Sequence, residues 1–134
     1  MDWYAKLKED MNNHALRDYP REACGVILND PITDPTSGFI LNDFTYQPCD
    51  NISMEPTFSF ILDPAAFIKY DNIWGVFHSH PGSDKPIPSQ DDKISAAFQQ
   101  YKFLVGFNNE FYIYGMNNKI NALKFDQLRE EHFS

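Results

Sequence analysis

The feature that most constrains this fold is the run ACGVIL (23–28), a short continuous apolar stretch with the character of a buried strand. Ahead of it, Asp2 is placed to cap a helix whose apolar residues Trp3, Leu7, Met11 and Ala15 recur at i+4, and Pro20 ends that helix. Behind it, the turn chemistry of NDPITDPTSG (29–38) leads into a second extended run, FILNDFTYQP. An irregular CDNISMEPT, a strand FSFIL and the pair Asp63-Pro64 follow, the pair supplying an N-cap and first turn for the short helix AAFIKY. IWGVFHSH reads as a strand and SQDDKISAAFQQY (89–101) as a helix. KFLVGF, EFYIYGM and KINALKF read as three strands joined by hairpin turns at Asn108-Asn109 and Asn117-Asn118. This mixed order predicts an α+β fold, a mixed-sheet sandwich, and argues against a Rossmann arrangement.

A chain of 134 residues with 43% hydrophobic and 22% charged residues suits one globular domain with a single core, spanning 1–134. An aromatic content of 16% argues against disorder. With 11 Lys+Arg against 19 Asp+Glu, the formal charge of −8 opposes attraction to nucleic acid or to an anionic membrane, so a basic or neutral partner is expected. The N-terminus MDWYAKLKEDM lacks an apolar signal region, and no run approaches the roughly 20 apolar residues of a membrane span. The expectation is a soluble chain made in the cytoplasm. Cys24 and Cys49 are too few for a disulfide framework and read as buried free thiols.

The stretch HSHPGSDKPIPSQDD (78–92) concentrates the chemistry. His78 and His80, two apart at a strand end, point to the same face, although an isolated H-x-H is also what a surface strand end carries. Ser89 and Asp92 open a helix as a capping box, which by itself accounts for both. That cap also fixes Asp92 in the first helical turn, facing back across the proline loop toward the histidines. Two neutral imidazoles and a carboxylate form a three-ligand zinc set with a fourth position left for water, the arrangement of hydrolytic zinc. Glu22, immediately before the first buried strand, is a candidate base or a solvated strand start. His14 and His132 read as structural or solvated histidines, Tyr112 and Tyr114 as packing residues of a hairpin strand, and Asp84 as part of a solvated turn.

Taken together, Glu22, H-S-H-P at 78–81 and S-x-x-D at 89–92 resemble the signature of the JAMM (MPN-plus) zinc metallopeptidases. The stretches HALRDYPREACGVIL, YQPCDNI, FILDPAAF and VFHSHPGSDKPIPSQDD are similar in order and spacing to the JAMM domain of tailed-phage tail-tip assembly proteins of the lambda protein K type. The resemblance implies a single JAMM/MPN domain with a mixed β-sheet flanked by helices. It implies one Zn²⁺ held by His78, His80 and Asp92, Glu22 as general base and proton shuttle, and Ser89 as hydrogen-bond donor to the oxyanion. In the family loop the aspartate stands eleven residues after the second histidine; Asp91 is at that distance and Asp92 one further. The spacing from Ser89, set by a rigid helical turn, favours Asp92.

The activity implied is hydrolysis of an amide bond, either in peptidoglycan peptides or in a protein during phage tail assembly. A second implied activity is isopeptidase processing of ubiquitin-like or sulfur-carrier proteins, and a third role is a non-catalytic module of a tail tip. The complete residue set argues against the third. No NlpC-type cysteine-amidase domain follows within the chain, so the phage analogy leads us to expect a separate amidase chain or other tail proteins as partners. It also makes a virion tail tip a destination beyond the host cytoplasm.

Overall fold

The computed structural model describes residues 2–83, 86–97, 99, 101–114 and 123–124. The expected turn at Asn117-Asn118, together with Asp84 and His132, lies outside the described residues. The elements are α1 (Asp2–Asp18), β1 (Cys24–Asn29), the short pair β2 (Ile32–Thr33) and β3 (Ile40–Leu41), β4 (Phe44–Cys49), α2 (Ala65–Lys69), β5 (Ile73–Ser79), α3 (Gln90–Ala97), β6 (Lys102–Phe107), β7 (Glu110–Tyr114) and β8 (Leu123–Lys124). A six-stranded sheet runs in the order β4-β1-β5-β6-β7-β8. Its β5 and β6 are parallel, and the other neighbours antiparallel. Helices flank the sheet, and the fold is mixed α+β. Among the described residues no helix is long and apolar enough to cross a membrane.

Strand alternation divides the core into two layers. The i+4 stripe of α1, Leu7, Met11 and Ala15, packs on Ile27, Phe44 and Phe77. On the opposite face Cys24, Val26, Val76 and Val105 meet Leu62 and Ala66, from the α2 side. Run 23–28 is buried because both layers close over it. Asn108 and Asn109 both take positive φ, as the two-residue turn between β6 and β7 requires.

Two extended runs depart from expectation. FILNDFTYQP divides at Asn42-Asp43: β3 pairs with β2, and β4 with β1. The Asp43 amide donates to Asn29 Oδ1 at 3.3 Å and its carbonyl accepts from the Asp30 amide at 3.0 Å, which anchors the break. FSFIL forms no strand; Leu62 makes a single bridge with Asn51. Two of its backbone groups are satisfied by a side chain, since Asn51 donates to Ser59 O at 3.0 Å and accepts from the Ile61 amide at 3.0 Å, while the Ile61 carbonyl accepts from the Ile52 amide at 2.9 Å. Asp63 caps α2 as expected, accepting from the Ala65 amide at 3.0 Å. Helix α3 ends at Ala97, short of the expected 101.

One glycine of β1 is sterically obligatory. Tyr46 lies across Gly25 and hydrogen-bonds through its hydroxyl to His14 Nδ1 of α1 at 2.6 Å, while His14 Nε2 faces Asp18 at 3.0 Å. A Cβ at position 25 meets the Tyr46 phenol and the Gln47 carbonyl, neither of which can retreat without breaking helix-to-sheet packing. Gly25→Ala is expected to lower stability by about 2 kcal/mol or more, read from urea denaturation; an unchanged midpoint would show that Tyr46 yields freely.

Candidate metal centre

β1 and β5 run antiparallel with Cys24 opposite His78, and the same register continued by two residues sets Glu22 opposite His80. Ser79, between the histidines, points to the other face and clamps the strand ends. Its amide donates to the Ala23 carbonyl at 2.9 Å, and its hydroxyl accepts from the Ala23 amide at 2.8 Å. The period of two therefore puts Glu22, His78 and His80 on one face. Each offers one ligand atom, and these atoms lie within 4.8 Å of one another, forming a candidate tri-residue metal site.

Beyond His80 the chain turns at Gly82, whose φ of +78° suits a residue without Cβ. Pro86 and Pro88 are buried and lead into α3. At its start Ser89 and Asp92 bond reciprocally: the Asp92 amide donates to Ser89 Oγ at 3.0 Å and the Ser89 amide to Asp92 Oδ2 at 2.9 Å. This cap turns Asp92 onto the histidines. Its Oδ2 lies 3.2 Å from His78 Nε2 and 3.0 Å from His80 Nε2, and the two nitrogens are 3.2 Å apart. Asp91, one residue earlier, is exposed at the edge of the adjoining cleft.

The electrostatics are those of a cation site. Burial lowers the affinity of His78 for a proton, against the pull of Asp92. For His80, burial acts the same way but is outweighed by the hydrogen bond and charge of Asp92, with Glu22 and the Ile87 backbone adding, so its pKa rises. Burial opposes ionisation of Asp92 as well, yet the hydrogen bonds from both histidines and from the Ser89 amide hold its carboxyl well below the usual carboxylate range. Two imidazole nitrogens facing each other at this distance need a hydrogen or a metal ion between them. Glu22 is buried, and burial pushes its carboxyl up to about 7, with His80 opposing and Asp92 adding.

Several residues that build this centre carried no sequence signal. Asn51 donates to the Glu22 carbonyl at 2.9 Å, so the same amide that organises residues 59–61 holds the backbone of Glu22. Phe60 stacks on His78 with ring centres 4.4 Å apart. Stacking matters because His78 Nδ1 is buried with no hydrogen-bond partner among the described residues to orient the ring. Tyr114 stands edge-on to the same imidazole at 6.2 Å. A lone asparagine in a turn-rich stretch and aromatics in apolar runs are too common for sequence to single out. Cys24 and Cys49 are free thiols, and burial pushes Cys24 up to about 12, which removes it from the chemistry of thiolate ligands.

A family profile described as prokaryotic homologs of the JAB domain matches residues 5–122. The desampylase of Haloferax volcanii is 30% identical over 113 residues, covering 75% of this chain and 76% of that protein. Tail tip assembly protein K of Escherichia phage N15 is 36% identical over 83 residues, covering 60% of this chain and 30% of that protein. The likeness to the tail tip protein is partial: the chain spans less than a third of its length. The purified protein is expected to take up about one divalent ion per chain, and His80→Ala to abolish that uptake; full occupancy of the variant in metal analysis would place the ion elsewhere.

Proposed function

The chain belongs to the family of prokaryotic JAB-domain homologs, and on that premise we propose that it is a zinc-dependent amide hydrolase. In this reading His78, His80 and Asp92 hold the ion, Glu22 is the general base, and Ser89 donates to the oxyanion. One observation carries it: the triangle of Nε2, Nε2 and Oδ2 with edges of 3.2, 3.2 and 3.0 Å. Ligand atoms on a tetrahedron with metal bonds of about 2.0–2.1 Å lie about 3.3 Å apart, so these three need almost no rearrangement to share one ion. The Ile87 backbone bonds the His80 ring, as an outer partner of a ligating imidazole does.

Glu22 fits the base better than a ligand. It is the more distant carboxylate, and its pKa near 7 makes it able to accept a proton and return it at neutral pH. A bound zinc supplies positive charge that acidifies a water toward a pKa of ~7 and polarises the scissile carbonyl. Glu22 takes the proton of the attacking water and delivers it to the leaving amine. The Ser89 hydroxyl accepts from the Asp92 amide, so its own proton is left to donate to the carbonyl oxygen as charge builds there. The loop prolines and the cap hold these groups in place before substrate arrives.

The substrate class follows from what surrounds the centre. Among the described residues the longest irregular stretch between elements is 50–64, too short for a dedicated clamp on a folded protein, which suits a short or flexible peptide, from peptidoglycan or from a protein tail. The partial likeness to a tail tip assembly protein supports a role at a phage tail. The likeness to a protein named desampylase over three quarters of both chains supports the second reading, an isopeptidase acting on ubiquitin-like or sulfur-carrier proteins.

Two substitutions separate the assigned roles. Asp92→Ala is expected to weaken metal affinity far more than Asp91→Ala, measured by competition with a chelating dye; the reverse order would move the ligand to Asp91. Glu22→Gln is expected to keep metal and fold while hydrolysis of flexible peptides falls by about 10² or more. Loss of metal from that variant would make Glu22 a ligand and end its assignment as base.

A further inference from the structure

We propose that the cleft beside the histidines is a subsite for a bulky apolar side chain, so that the substrate is an extended protein segment carrying such a residue next to the bond that is cut. The inference rests on the hydrolase reading above. The cleft holds about 480 Å³, within the range of small-ligand sites. One end is the polar centre, with Glu22, His80, Ser89 and Asp92; the other is walled by Phe58, Ile61, Phe67 and Phe103. The cleft is thus continuous with the place where a scissile bond would sit, and a side chain flanking that bond has only the apolar wall to face.

That wall is exposed at a cost. Phe58 is 82% exposed, Ile61 53% and Phe67 37%, although a core lies directly beneath them. Contiguous apolar surface of this kind marks a binding site more often than an accident of packing. It is also held in shape: Asn51 fixes Ser59 and Ile61, Phe60 stacks on His78, and Phe67 sits 5.5 Å from the ring of Tyr101. Among the described residues, the ionisable side chains that line the cleft besides His80 and Tyr114 are the carboxylates of Glu22, Asp91 and Asp92. A bound zinc would offset the charge of these carboxylates, so the apolar wall, not charge, selects the occupant. A peptide of small residues leaves this wall uncovered, whereas a flexible protein segment with a phenylalanine or leucine fills it.

The test uses zinc-loaded protein and zinc-chelating hydroxamates whose side chain is hydrogen, methyl or benzyl, placed on either the acyl or the amine side of the chelating group, with binding read by calorimetry. Benzyl is expected to bind about tenfold or more tighter than methyl in at least one placement. Phe67→Ser is expected to bring benzyl affinity down toward that of methyl while metal content stays unchanged. Phe58→Ser, at a position the fold leaves in water, gives a second reading should Phe67→Ser disturb packing against Tyr101. Equal affinities across side chains in both placements overturn the subsite and leave the metal reading intact. Protein that holds zinc yet binds no hydroxamate, or that holds no zinc, overturns the hydrolase reading and the subsite with it.

Discussion

The antiparallel pairing of β1 with β5 is the constraint on which the rest depends. Strand pairing has a period of two, so a slip of β5 by one residue against β1 would carry Val76, His78 and His80 to the α1 face, away from Val26 and Glu22. Burial of the two layers and assembly of the centre are therefore decided by the same register. Ser79 secures it at the end that matters, through two hydrogen bonds to Ala23. The parallel neighbour β6 takes the next amide, that of His80, on Gly106 at 3.1 Å.

Placing ionisable groups on an apolar face is costly unless each has a partner. Here the partners are shared. Asp92 Oδ2 serves both imidazoles and the Ser89 amide, and the same two residues start α3, so one capping box satisfies helix donors and aims a carboxylate. Asn51 works similarly on the other side, spending its amide on Glu22 and on the segment that walls the cleft. Centre and cleft are thus mechanically joined: a change in residues 51–61 acts on Glu22 through its backbone.

Glu22 and Asp92 are two carboxylates with opposite environments. Asp92 sits among donors and stays ionised, whereas Glu22 is desolvated and holds its proton near neutrality. Groups driven apart in this way can divide the work of holding charge and moving protons. The likeness to both a desampylase and a tail tip protein fits one fold that serves different roles through different surfaces.

What the amino-acid sequence determined by itself was everything carried by local period and local chemistry. The i+4 stripe Leu7, Met11 and Ala15, the buried run 23–28, the Asn108-Asn109 turn and the caps at Asp63 and Ser89 are readable because a helix or strand imposes its period on neighbours in the chain. H-x-H and S-x-x-D are readable for the same reason. Tertiary structure alone decided which groups meet across space. It set Glu22 against His80 through strand register, left FSFIL as a loop tied at Ser59 and Ile61 to the Asn51 side chain, and turned Asp92 to the histidines while Asp91 faces the cleft. It also left Phe58 and Ile61 in water beside the centre. Periodicity states which face a side chain occupies, and only the packing of distant segments states what that face meets.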